Sequence, residues 1–180
     1  RAYSYIPSRL GNNISDRIAK YALTEFTDEF IKYSWLDRGS DERQYCAPGV
    51  DLPICSITRS KYCAYPEYHT SLDNFDLVTK KGLEQSFNLY SKIIDIFEKN
   101  IKPKINVLGE PQLGKRGLYH NLSKKDISPN NRNMDLENFI SYCDGNHTIL
   151  DISEKIEVEF EECVLLSNIL KDNNLLKEET

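Results

Sequence analysis

The segment that most constrains the fold of this chain is KKGLEQSFNLYSKIIDIFEKN, residues 80–100. Its apolar residues recur every three or four positions, as they do along one face of an α-helix, and Thr79 is a candidate N-cap. The apolar positions are Leu83, Phe87, Tyr90, Ile93, Ile94 and Phe97. The sequence therefore predicts a long amphipathic helix here.

Segments with strand and helix character alternate before this helix. AYSYI, FIKYSWL and LPICSIT have the aromatic and aliphatic composition of strands, and the third is apolar enough for the middle of a sheet. NISDRIAKYALTEF, between the first two, has apolar residues at helical spacing. This order predicts an α/β layer structure with a parallel or mixed sheet.

The charge distribution indicates a second module. Residues from 131 onwards hold twelve acidic and four basic side chains, whereas the whole chain has a net charge of −5. This acidic region contains three helical patterns with short connections and an extended end, which is the outline of a winged helix-turn-helix. We place an α/β domain at 1–127 and the winged helix-turn-helix at 128–180.

Length and composition exclude several protein classes. The 180 residues are 39% hydrophobic and 28% charged, and no apolar run is long enough to cross a bilayer. The segment RAYSYIPSRL begins without a methionine and lacks the pattern of a signal peptide. We therefore expect this chain to be a piece of a longer protein. Five cysteines without a CxxC pair favour a reducing, cytoplasmic location.

The loop RGSDERQYCAPG is the first candidate site. It places Asp41 and Glu42 between Arg38 and Arg43 after a predicted strand, and Tyr45 follows. Such a group can orient a charged substrate or form a buried ion-pair network. The alternative is a surface loop whose charges neutralise one another.

The second candidate is YPEYHTSLDN, which contains one of three histidines. In an extended segment Glu67, His69 and Ser71 share one face. The carboxylate of Glu67 or Asp73 could accept a hydrogen bond from the second ring nitrogen of His69. Metal-bound histidines usually have such a partner, which fixes the orientation of the ring. The alternative is a structural histidine, because a single imidazole cannot form a zinc site, which needs at least three protein ligands.

The remaining histidines and motifs give no further candidate for a catalytic or nucleotide-binding site. His120 and His147 lie in turn-like contexts, and the chain has no GxSxG, phosphate loop, HExxH or GxGxxG motif. The third helical pattern of the second module begins EVEFEEC, and these glutamates would repel DNA phosphates. The composition therefore argues against nucleic-acid binding, and a docking face for another protein is left open for this module.

Four segments together resemble a known family. They are YSYIPSRLGNN, the block from WLDRGSDERQY to YHTSLDN, GEPQLGKRGLY, and ISYCDGNHTIL with the residues that follow. They are similar to bacterial aminopeptidase-like proteins of unassigned function, which join a zinc-exopeptidase domain of the leucyl aminopeptidase and glutaminyl cyclase type to a C-terminal winged helix. The resemblance covers nearly this whole chain but only the back half of a full-length member.

The resemblance implies roles for individual residues. The late zinc-binding histidine of such exopeptidases falls in a motif that His69, Thr70 and Asp73 match, and their pocket loop is matched by Ser40 and Asp41. This chain has Glu42 where the aminopeptidases usually have His, which puts ordinary aminopeptidase specificity in doubt. The other ligands of one or two zinc ions, and the general base, would lie in the missing N-terminal half, so this chain alone should be inactive.

Two hypotheses of different classes follow. In the first, the chain is the C-terminal part of a zinc-dependent amidohydrolase that acts on a small peptide-like or amino-sugar amide, with Arg38 or Arg43 recognising a carboxylate. In the second, it is a non-catalytic binding protein of the same fold with an acidic winged-helix interaction module. The sequence leaves a homo-oligomer open.

Overall fold

A computed structural model describes residues 2–118 and 132–177 of the chain. The chain divides into two compact units, residues 1–97 and 98–180, which we describe separately. This division lies earlier than the boundary placed at 127/128. Its physical reason is that Lys104 and Ile105 form antiparallel bridges to Asp144 and Leu176, both in the second unit.

A three-stranded mixed sheet forms the centre of the first unit. Strand β1 (Tyr3–Ile6) runs parallel to β2 (Phe30–Lys32) on one side and antiparallel to β3 (Ser56–Arg59) on the other. The predicted α/β class and mixed sheet are therefore confirmed. The prediction that the third strand lies in the middle is wrong for the sheet found within residues 2–118 and 132–177, because the fully buried β1 takes that place and β3 is at its edge.

The first helix, α1 (Ile14–Phe26), forms as predicted. Asn13 and Asp16 make a reciprocal capping box at its start. Asp16 is completely buried, and its carboxylate accepts hydrogen bonds from the hydroxyl of Tyr5 at 2.6 Å and from the backbone N–H of Ser8 at 2.8 Å. This network fixes the connection from β1 to α1.

The long predicted helix, α3 (Lys80–Lys99), is confirmed, but its apolar stripe is not in the core. The residues that α3 buries are Leu89 and Ile96, and Gln85 accepts a 2.8 Å hydrogen bond from the Arg59 guanidinium. Five of the six predicted positions are exposed, by 44% to 71%. They are Leu83, Phe87, Tyr90, Ile94 and Phe97.

The second unit contains the three predicted helices, α4 (Arg132–Ser141), α5 (Ile149–Ile156) and α6 (Phe160–Asp172). Thr148 and Asp151 form a capping box for α5, and Glu157 ends that helix in a left-handed conformation. The helices enclose a core of Phe139, Ile149, Leu150, Ile152, Phe160, Leu166 and Leu170. None of the described helices combines the length and apolarity that a bilayer crossing needs.

Candidate functional site

A short helix, α2 (Ser40–Tyr45), carries the SDERQY segment. Its Glu42 side chain turns inward and is only 4% exposed. Oε1 of Glu42 accepts a hydrogen bond from the backbone N–H of Gly39 at 3.2 Å. This bond connects the carboxylate to the residue that precedes its own helix. Glu42 therefore stabilises the loop from its buried side. Its neighbours Asp41, Arg43 and Tyr45 are exposed.

The hydroxyl of Tyr62 makes the second hydrogen bond to Glu42. It donates to Oε1 at 2.5 Å. Burial, and secondly this bond, raise the pKa of Tyr62 above its ordinary value. The ring also explains the glycine at 39, because a Cβ atom there would lie 2.7 Å from Cε2 of Tyr62. Tyr62 therefore fixes the position of the α2 loop.

An aromatic cluster leads from Tyr62 to the predicted metal ligand. The ring of Tyr68 lies 6.5 Å from that of Tyr62 and 5.7 Å from that of Tyr65. The His69 imidazole stacks on Tyr68, with centroids 3.9 Å apart and planes inclined by 18°. The two candidate segments of the sequence are thus joined through Tyr62 and Tyr68.

The segment around His69 is a series of turns, and the extended conformation considered from the sequence does not form. Thr70 N–H bonds to the Glu67 carbonyl at 3.0 Å, and Asp73 N–H bonds to the Thr70 carbonyl at 3.1 Å. His69 has a φ of 59°, in the left-handed region, and its side chain is exposed. The shared face predicted for Glu67, His69 and Ser71 is therefore absent.

Cationic side chains lie against the aromatic rings of this region. The Arg38 guanidinium lies 4.8 Å from the Trp35 ring centroid, and Lys61 Nζ lies 4.4 Å from that of Tyr62 and 5.5 Å from that of Tyr33. Sequence reasoning identified Arg38 but missed Lys61 and Tyr62. The available signal was the density of tyrosines in KYCAYPEY, immediately before His69.

The described residues do not form a complete metal site. Across residues 2–118 and 132–177, no group of three His, Cys, Asp or Glu side chains is placed to hold an ion. His69 presents one exposed imidazole, and the predicted second partners Glu67 and Asp73 are half-buried and exposed respectively.

The other two histidines differ from His69. His147 belongs to the turn after α4, where its backbone N–H bonds to Asp144 Oδ1 at 3.1 Å and its Nδ1 lies 3.2 Å from the same oxygen. The backbone N–H groups of Asn146 and His147 are the main cause of the lowered pKa of Asp144. The predicted turn role of His147 fits this geometry, and His120 lies outside the described residues.

Comparisons with known proteins match both units. A family described as a domain of unknown function, DUF4910, matches residues 1–100, and a winged helix-turn-helix family matches residues 100–178. A relative from Clostridium acetobutylicum, named "Putative polysaccharide biosynthesis protein with aminopeptidase-like domain", is 33% identical over 97% of this chain. That match covers 40% of the relative, so the chain spans about two fifths of its length.

A solved structure gives the same result for the fold. The crystal structure described as "putative peptidase from Clostridium acetobutylicum" superposes with a TM-score of 0.79 at 30% sequence identity. The superposition covers 98% of this chain and 38% of that chain. The fold of this chain is therefore that of part of a longer peptidase-like protein.

Proposed function

Because the chain belongs to the DUF4910 family and continues into a winged helix-turn-helix, we propose that it forms part of a zinc-dependent, aminopeptidase-like amidohydrolase. The observation that carries the proposal is the connection from the buried Glu42 through Tyr62 and Tyr68 to the stacked ring of His69. The aminopeptidase-like and peptidase names of the two C. acetobutylicum proteins support it.

Each residue of the site has a distinct role in this proposal. His69 supplies one imidazole ligand, and Tyr68 fixes the plane of its ring by stacking. Glu42 and Tyr62 hold the α2 loop, so that Asp41, Arg43 and Tyr45 line the substrate side. Arg38 or Arg43 binds a substrate carboxylate. A zinc ion bound in part by His69 would supply Lewis-acid chemistry for amide hydrolysis.

The other ligands and the general base belong to a polypeptide that this chain does not contain. The chain alone should therefore neither retain zinc nor hydrolyse amides, because a single imidazole cannot form the site. We propose a cytoplasmic protein whose substrate is a small peptide-like or amino-sugar amide. Its winged helix takes a protein partner rather than nucleic acid, because Glu161 and Glu162 occupy the first turn of α6.

The experiment uses a chimera in which this chain replaces the matching segment of the C. acetobutylicum relative named above. We expect the chimera to retain zinc through dialysis and to hydrolyse an aminoacyl amide. His69→Ala should lose both, and His147→Ala, in the other unit, should keep both. Undiminished zinc and activity in His69→Ala, or a parent chimera without zinc, would overturn the proposal.

A parent chimera without hydrolysis would favour the second candidate, a binding protein of the same fold. The observation behind that candidate is that Glu42 stands where aminopeptidases usually have His and is committed to the Gly39 N–H and the Tyr62 hydroxyl.

A further inference from the structure

The exposed stripe of α3 has the spacing of a packed helix face. It consists of Leu83, Phe87, Tyr90, Ile94 and Phe97, and we refer to it as the α3 apolar face. Its members follow one another at alternating intervals of four and three residues, which is the spacing of a seam between packed helices. No charged residue interrupts the stripe, as is typical of the centre of an interface rather than its rim.

Most of this face is separate from the one that α3 already uses. Within it, the Tyr90 hydroxyl donates a 2.5 Å hydrogen bond to the Ile57 carbonyl of β3. Leu89 and Ile96 are buried, and at 100° per residue they lie on a different side of the helix from Phe87 and Ile94. α3 therefore has one apolar side packed within the first unit and a second apolar side exposed to water. Exposing such a stripe has a free-energy cost in a globular domain, so it marks a surface with a partner.

The size of the face limits the kind of partner. At about 150–250 Å² for each aromatic side chain, the five residues expose on the order of 500 Å². A standard interface buries about 800 Å² on each partner, so this face alone is too small for a stable homodimer. It is the right size for one helix that is covered by the next layer of an α/β domain.

The comparison with the solved structure offers a candidate for that layer, because more than half of that chain lies outside the match, which covers 38% of it. Nearly the whole chain superposes on 38% of a longer peptidase-like chain, so its backbone has the geometry that it has within a larger body. In the sequence, Leu72 and Phe75 lie between His69 and α3, and their side chains are 63% and 90% exposed.

We propose that the α3 apolar face is the docking surface for the remaining α/β part of the peptidase-like protein, the part that the relatives have beyond the length matched by this chain. The proposal rests on the proposed function in one respect, since the same polypeptide would bring the other metal ligands to His69. Packing against this face does not itself require the metal, so the two can be tested separately.

The test compares the same substitutions in two proteins, the 180-residue chain and the chimera defined above, both with excess EDTA. Phe87→Asp and Ile94→Asp place a charge on the face. Asn88→Asp makes the same charge change at an exposed position on another side of α3. Thermal unfolding and light scattering after size-exclusion chromatography give the stability and the mass of each variant.

In the chimera, Phe87→Asp and Ile94→Asp should each lower the melting temperature by at least about 4 °C relative to Asn88→Asp. In the 180-residue chain the three variants should melt within about 1 °C of one another, because the face is exposed there. Phe87→Ala replaces the Asp variants if these prevent the chimera from folding, and it should show the same contrast.

Equal melting temperatures for all variants of the chimera would overturn the proposal. A 180-residue chain that is a dimer and becomes a monomer on Phe87→Asp would also overturn it, because a second copy would then cover the face. A parent chimera that shows the melting contrast but binds no zinc when EDTA is left out would instead overturn the proposed function alone.

Discussion

Replacing Tyr62 by Phe should destabilise the first unit by about 2 kcal/mol, because hydrogen bonds to charged groups contribute about 1.5–3 kcal/mol. The substitution removes the donor that lies 2.5 Å from Oε1 of Glu42, whose side chain is 4% exposed. The carboxylate is then left with the longer bond from the Gly39 N–H, at 3.2 Å. Tyr62 is only half-buried, so water replaces part of the lost bond and the cost stays below the upper limit.

The assay is urea unfolding at pH 7, followed by the fluorescence of Trp35. Trp35 is the only tryptophan of the chain, and the Arg38 guanidinium lies over its ring, so its emission reports on the region around the α2 loop. Tyr68→Phe is the matched control. Within the described residues Tyr68 makes ring contacts, and its hydroxyl has no hydrogen-bond partner. Removing the Tyr68 hydroxyl should lower the free energy of unfolding by less than about 0.5 kcal/mol.

A double-mutant cycle isolates the bond itself. Tyr62→Phe should cost much less in a Glu42→Gln background than in the parent, since the charged acceptor is then gone. The same cost in both backgrounds, or equal costs for Tyr62→Phe and Tyr68→Phe, would refute the reasoning. Because the pKa of Tyr62 is raised in the folded state, the stabilisation is complete at neutral pH and decreases only as the pH rises above 10.0.

Three further predictions concern the same fold. Gly39→Ala should destabilise the first unit by about 1–3 kcal/mol, because its Cβ would meet the Tyr62 ring, and urea unfolding would show this. Asp16→Asn should cost about 2–4 kcal/mol in the same assay, since an amide places N–H groups among the donors that face the buried carboxylate. The hydrogen bonds that lower the pKa of Asp144 stabilise the second unit at pH values above 3.8, the ordinary pKa of the group. This contribution is lost as the pH falls through the lower pKa of the folded state. Asp144→Asn should therefore show a smaller loss of stability than the parent between pH 5 and pH 3, whereas equal losses would contradict the assignment.

Local patterns predicted the longer helices, whereas the short helix α2 formed in a segment that was expected to be a loop. The spacing in NISDRIAKYALTEF and in the segment after Thr79 is repeated over several turns, so it indicates helix whatever lies around it. Strands were predicted less accurately. LPICSIT was placed in the middle of the sheet, yet only Ser56–Arg59 is strand and it lies at the edge, because the order of strands depends on pairing between distant segments.

The candidate site shows a similar limit. His69 and the α2 loop were found from their residue types and from a family resemblance, but the contact between them could not be read from the sequence. Tyr62 makes that contact, and its role depends on the fold placing its hydroxyl beside Glu42, twenty positions earlier in the chain. Glu42 was expected among the exposed pocket residues, and only the structure shows that its carboxylate turns inward.

The sequence by itself determined that there are two modules, their α/β and winged-helix classes and the longer helices, because composition and periodicity are properties of neighbouring residues. The tertiary structure decided which apolar face of α3 is buried, where β3 lies and how Glu42 is used. Burial, register and hydrogen-bond partners are set by residues far apart in the chain. The exposed stripe of α3 therefore had the same sequence signal as a core face, and only the packing showed that its side chains are largely exposed.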